Sequence, residues 1–184
     1  MLSFTTSLLT VGCTNENEIS HETVDQVKVD DIKEPIQEKF NQTMALAEKG
    51  DAEAQYNLGW MYSNGEGVES DETVTAQWFQ KAADQGHIKA LYNLGVMYRD
   101  GVGVPQDDIK SADYLLKAAD QGYAPAQFNL GTLYFEGRGV PQDDIKAADY
   151  FLKAADQGVA DAQYNIGYMY YHGRGVAQDT NIAK

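Results

Sequence analysis

Residues 86–121 read GHIKALYNLGVMYRDGVGVPQDDIKSADYLLKAADQ, and residues 122–157 read GYAPAQFNLGTLYFEGRGVPQDDIKAADYFLKAADQ. The two stretches agree at about 24 of 36 positions. Gly50, Gly86, Gly122 and Gly158 keep this 36-residue spacing, so the unit continues on both sides. A fixed period of this size marks a solenoid, in which stacked units bury a face that one unit alone cannot cover. Such stacks offer long binding surfaces rather than enclosed catalytic pockets.

Each unit reads as two antiparallel helices joined by a glycine loop. In residues 50–86, Gly50 suits the left-handed end of a helix and Asp51 the cap of the next. Helix A is expected over about 52–63, with Ala54, Leu58, Met61 and Tyr62 on one stripe and Gly59 beside it, admitting a close neighbour. The loop Gly65-Glu66-Gly67-Val68 recurs as Gly101-Val102-Gly103-Val104, Gly137-Arg138-Gly139-Val140 and Gly173-Arg174-Gly175-Val176. Two glycines so spaced can take positive φ and reverse the chain, and the valine can plug the core. A phosphate loop is excluded, since the motif follows a helix and lacks the strand, third glycine and Lys-Ser/Thr of such loops. Helix B is expected to follow the caps Asp71, Asp107 and Asp143. It runs to about residue 85, 121 or 157, with Ala76, Phe79, Ala82 and Ala83 inward. Asp84, Asp120 and Asp156 close these helices against the macrodipole, and each is expected to pair with a Lys or with the start of the next helix A.

The motif Ala54-Gln55-Tyr56-Asn57-Leu58-Gly59, then Tyr62, Gly65-x-Gly67-Val68 and Lys81-Ala82-Ala83-Asp84-Gln85-Gly86, resembles the Sel-1-like repeat family, a branch of the tetratricopeptide-like α-solenoids. The resemblance covers residues 50–184, as units 50–85, 86–121, 122–157 and an incomplete 158–184, after a lead-in helix over 34–49. It implies an all-α, right-handed α-solenoid of antiparallel helix pairs and a scaffold or adaptor role in binding proteins. A cysteine-rich branch of the family is linked to β-lactam binding. That branch suggests a hydrolase or ligand-binding enzyme as an alternative, but these repeats hold no cysteine.

The 184-residue chain has a net charge of −14. No clustered Lys/Arg patch is present, so no nucleic-acid partner is expected. The single cysteine, Cys13, excludes an internal disulfide. It follows Leu8-Leu9-Thr10-Val11-Gly12 and precedes a polar run, which resembles a bacterial lipoprotein signal (residues 1–13) with Cys13 as the lipidated residue. The alternative is an apolar N-terminus with an incidental thiol. Residues 14–33 read as a flexible acidic tether, and Pro35 as a helix start. The expected location is the bacterial cell envelope, lipid-anchored on the periplasmic side of the outer membrane, with soluble periplasmic or cytoplasmic placement as the alternative. Contact with membrane is expected only through the lipid on Cys13, and the protein is expected to be a monomer. The fourth unit breaks off before helix B is complete, which reads as a truncated sequence or, alternatively, an end covered by a partner, and the last repeat is expected to fray.

Comparing the units with one another separates frame from variation. Trp60 becomes Val96, Thr132 and Tyr168; Glu53 becomes Lys89, Pro125 and Asp161; Ser63 becomes Arg99, Phe135 and Tyr171. These positions lie opposite the Leu58 stripe, on the side of helix A that lines the concave groove in tetratricopeptide-like solenoids. A constant frame carrying a variable stripe suits recognition of a peptide, though the stripe also fits unconstrained surface. Tyr56, Tyr92, Phe128 and Tyr164 recur nearby, as anchors for a ligand or, more in keeping with their spacing, as packing against the next repeat. Asn57, Asn93, Asn129 and Asn165 are unusual mid-helix residues. They form either an amide ladder for an extended ligand or structural bonds to loop carbonyls. The candidate partner-binding set is therefore Glu53, Tyr56, Asn57, Trp60, Lys89, Tyr92, Asn93, Val96, Arg99, Phe128, Asn129, Thr132, Tyr164, Asn165 and Tyr168, for an unidentified protein or peptide. Exposed aromatics also allow a structural envelope role, binding cell-wall polymer. His21, His87 and His172 are isolated, and no metal spacing or nucleophile motif stands out, so neither cofactor, metal nor enzymatic role is expected.

Overall fold

The computed structural model describes residues 21–181, with side chains from residue 33 onward. Among the described residues there are eight helices and no strand: α1 (His21–Glu48), α2 (Ala52–Asn64), α3 (Glu72–Asp84), α4 (Ile88–Asp100), α5 (Asp108–Asp120), α6 (Ala124–Glu136), α7 (Asp144–Asp156) and α8 (Ala160–His172). The chain divides at Pro35, and residues from Ile36 onward form one compact unit. Within it α2, α4, α6 and α8 are the A helices, and α3, α5 and α7 the B helices. Each packs on the next in the chain, the nearest-neighbour pattern of a solenoid. The expected all-α stack of helix pairs is what forms.

One expectation fails at the N-terminal side. Pro35 lies inside α1, which begins at His21, so residues 21–33 are helical rather than a tether. Proline removes one helical hydrogen bond but does not dictate a start. Nothing from His21 to Glu34 is a glycine or proline, and local composition there permits a helix. Residues 14–20 and Cys13 lie outside the described residues.

The loops are held by residues that serve two helices at once. The backbone N–H of Asp107 donates to the Tyr98 carbonyl at the end of α4 (2.8 Å), while its carboxylate accepts from the Ile109 and Lys110 amides opening α5. Asp71 ties to Tyr62, and Asp143 to Tyr134, in the same way, each also capping its own helix B. The A helices start less uniformly. Asp51 caps α2 and the His87 Nδ1 caps α4, whereas Tyr123 and Val159 supply no side-chain cap. Asp84 accepts from Gln80 of its own helix (2.6 Å), not from a lysine or the next helix A, because helix geometry puts residue 80 one turn away.

Helix A meets helix B through glycine. A Cβ on Gly131 would stand 2.8 Å from the Phe151 ring, so its absence lets α6 settle on α7. Leu58, Leu94 and Leu130 are fully buried, as are Phe79, Leu115 and Phe151 opposite them. The loop valines Val68, Val104, Val140 and Val176 pack against this core as expected. Ser111 stands out, since its hydroxyl is buried without a hydrogen-bond partner. The equivalent Thr75 bonds the Asp71 carbonyl (2.9 Å), and the equivalent Ala147 is buried with no polar atom to satisfy. Ser111→Ala should therefore leave stability unchanged or raise it by about 1 kcal/mol, because an unsatisfied buried hydroxyl costs desolvation. A urea denaturation midpoint that falls on substitution would show that the hydroxyl is satisfied.

Two sets of polar ties run between repeats. Gln127 is buried in α6. It donates to the Ala119 carbonyl ending α5 (3.3 Å) and accepts from Gln157 ending α7 (2.7 Å), linking three helices. Gln55 does the same between Ala47 and Gln85. Gln163 donates to Ala155. The second set is ionic. Arg138 forks onto Asp108 (2.8 and 3.2 Å), and Arg174 onto Asp144 (2.8 and 3.0 Å), each joining a loop to the preceding helix B. Lys39 and Glu66 (2.7 Å) occupy the first junction with the charges reversed.

Candidate protein-interaction face

The candidate residues fall along the A helices but in unequal environments. Tyr56 is half-buried, stacked on Phe79 (5.5 Å between centroids) and on the His87 ring (4.5 Å). Tyr92 packs edge-on against Tyr123 (5.2 Å), and Phe128 against Phe151 (5.9 Å). Tyr56 and Tyr92 thus meet the next repeat, Phe128 packs on Phe151 within its own repeat, and Tyr164 is 75% exposed. Trp60 is 40% exposed, lying edge-on to Tyr56 and Phe79.

The asparagines divide. Asn129 donates to the Tyr92 hydroxyl of the preceding repeat (3.4 Å), a structural tie to a side chain rather than to a loop carbonyl. Asn57 is exposed and Asn93 half-buried. Glu53 and Lys89 are exposed, and Glu53 meets the His87 Nε2 at 3.0 Å. Arg99 is bonded to both carboxylate oxygens of Asp100 (2.8 and 2.9 Å), which holds the Asp100 carboxyl below its usual range. Val96 is half-buried between these groups along the same helix row.

Thr132, Tyr164, Asn165 and Tyr168 come together at one place. They line a cleft of about 360 Å³ between α6 and α8. Phe135, Glu136, Phe151 and Arg174 complete its walls. The buried Phe151 ring forms the floor, and Phe135 stands edge-on to Tyr168 (6.5 Å). The Arg174 guanidinium lies 4.0 Å from the Phe135 ring centroid while paired with Asp144, whose hydrogen bond raises the arginine's proton affinity further. Thr132 turns its hydroxyl to the Phe128 carbonyl (3.2 Å), leaving its methyl group as the surface presented to the cleft. The result is an aromatic hollow rimmed by one cation and one carboxylate. It suits an apolar side chain flanked by polar backbone, since rings bury area at low entropy cost. Arg174 and Phe151 carried no signal in the variable stripe, because one comes from a loop and the other from a B helix. Glu53, Lys89 and Trp60 belong to other repeats and do not join this cleft.

Among the described residues no group of His, Cys, Asp or Glu could hold a metal ion, and no helix is long and apolar enough to cross a membrane.

The Sel1 repeat pattern matches residues 52–87, 88–123, 124–159 and 160–184. The chain belongs to the Sel1 repeat family. Sel1 repeat proteins are commonly protein-interaction scaffolds and typically non-catalytic. Solved structures share the repeat fold. A protective antigen present in uropathogenic Escherichia coli strains, displaying an SLR fold, shares 40% identity over 78% of this chain and 31% of its own, with a TM-score of 0.76. A Sel1 repeat protein from Oxalobacter formigenes shares 32% identity over 87% of this chain and 65% of its own, also at 0.76. The chain therefore spans about a third of the first relative and just under two thirds of the second. Cysteine-rich protein B of Helicobacter pylori, at 21% identity over 69% of this chain and 94% of its own, shares the fold with a TM-score of 0.56. No curated protein matches the chain.

Proposed function

We propose that this chain is a protein-interaction scaffold that holds a peptide or protein segment along its A helices, with the α6–α8 cleft as the anchoring point. The observation that carries this reading is the convergence of Thr132, Tyr164, Asn165 and Tyr168 with Phe135 in one aromatic hollow. Trp60, exposed three repeats away on the same row of A-helix positions, supplies a second anchor. Buried aromatic anchors dominate the energy of interfaces of this type. The test is retention of proteins from an envelope extract, followed by direct binding to whichever protein is retained. Tyr168→Ala is expected to weaken that binding about tenfold or more, and Trp60→Ala to add to the loss. Equal binding by wild type and double variant would remove the A-helix face from the interaction.

We propose further that the scaffold sits at the bacterial envelope, anchored through a lipid on Cys13, a reading supported by the apolar run ending in Gly12-Cys13. Growth with an alkyne fatty acid should label the full-length protein and not its Cys13→Ser variant. Absence of label on the wild type would return the protein to a soluble compartment.

A further inference from the structure

The junction between the first and second repeats differs from every other. At the position of Gln55, Gln127 and Gln163 it carries Leu91, buried and unable to tie α4 to the Ala83 carbonyl. At the loop position of Arg138 and Arg174 it carries Val102, so Glu72 of α3 lacks the guanidinium that Asp108 and Asp144 receive. A groove of about 430 Å³ also opens at this junction, between Thr73, Gln77 and Gln80 of α3 and Tyr98, Gly103 and Val104 of the second repeat.

What crosses the junction is of a different kind, including the Tyr56–His87 ring stack (4.5 Å). Apolar packing remains, with Phe79 and Leu94 in one core. The His87–Glu53 pair (3.0 Å) is open to solvent on the glutamate side, where such pairs contribute little. The Tyr114 hydroxyl bonds Gln80 (2.6 Å) from the next B helix. Two of the directional ties found at the later junctions are therefore absent here, while the apolar contact is retained. Solenoid stability is close to a sum of repeat and junction terms, so a junction that lacks both the glutamine tie and the arginine tie opens before those that keep them.

We infer that the α3/α4 junction is a built-in hinge, at which residues 36–84 separate from residues 88–172 in a sub-global opening below the unfolding of the later repeats. Opening there parts Trp60 from Val96 and divides the A-helix face into two segments. The hinge does not depend on the proposed binding role.

Native-state hydrogen exchange on the full chain in low urea tests it. The core amides of α2 and α3, including Leu58 and Phe79, should exchange together through an opening that leaves α6 and α7 protected. The triple variant Leu91→Gln, Val102→Arg, Glu72→Asp rebuilds both ties and should slow α2 and α3 exchange about tenfold, leaving α6 and α7 unchanged. The reverse pair, Gln127→Leu with Arg138→Val, should speed exchange across the α5/α6 junction about tenfold while leaving the α3/α4 opening in place. If the triple variant folds with α2 and α3 exchange unaltered, the opening is ordinary fraying of the chain end and the hinge is overturned. If the reverse pair leaves exchange across the α5/α6 junction unaltered, these ties do not set the order of opening and the hinge is overturned equally.

Discussion

Gly139→Ala is expected to destabilise the protein by about 3 kcal/mol or more, the larger part of it at the junction of the second and third repeats. Two costs add. Gly139 sits at φ 67°, where a Cβ costs on the order of 1–2 kcal/mol. The new methyl would also run into the Asp108 carbonyl group, and that carbonyl belongs to the first turn of α5. Main chain already bonded into a helix cannot retreat as a flexible side chain can. Gly122 is the control. Its φ is 84°, yet a Cβ there would meet nothing within 4 Å. Gly122→Ala should show the conformational cost alone, so the difference between the two variants isolates the contact between loop and helix. Urea denaturation followed by circular dichroism reads both. Equal losses would mean that the loop does not press on α5.

Phe151→Ala is expected to cost about 3–5 kcal/mol, the range for truncating a buried aromatic ring. Phe151 is fully buried, faces Gly131 across the α6–α7 contact and forms the floor of the cleft. On the side facing α6 and along its own helix the ring is surrounded by small residues, Gly131, Ala147, Ala148 and Ala154, which cannot fill the space it leaves. The repeats themselves supply the comparison, since Leu115 holds the equivalent place in the second repeat, and Phe151→Leu should cost less than about 1.5 kcal/mol. If Ala and Leu at this position cost the same, the volume of the ring is not what joins α6 to α7. The alanine variant should also weaken partner binding at the cleft beyond its effect on stability, because Tyr164 and Tyr168 lose the surface beneath them.

The sequence carried the repeat, the helix pairs, the aspartate caps and the inward stripes, because each is a local consequence of residue spacing. Gly59 and its equivalents were legible as sites of close approach for the same reason, and so was the packing of Tyr56 and Tyr92 against the next repeat, whereas Phe128 packs on Phe151 of its own repeat. The start of α1 was not legible, because a proline in a polar run is compatible with a first turn or an interior position, and only surrounding backbone geometry chooses. For Asn129 the sequence left a ligand ladder and a structural bond both open, and the partner it takes, the Tyr92 hydroxyl, was in neither reading.

What the sequence by itself determined is the unit and its inward face, since a 36-residue period and a helical stripe need no knowledge of neighbours. What only the tertiary structure decided is how one unit meets the next. Gln127 reaching Ala119 and Gln157, Arg138 reaching Asp108, and Arg174 and Phe151 joining Tyr168 in one cleft all depend on the rotation and offset between stacked repeats. That rotation is set by how side chains of neighbouring helices interlock, and no period within a single unit encodes it.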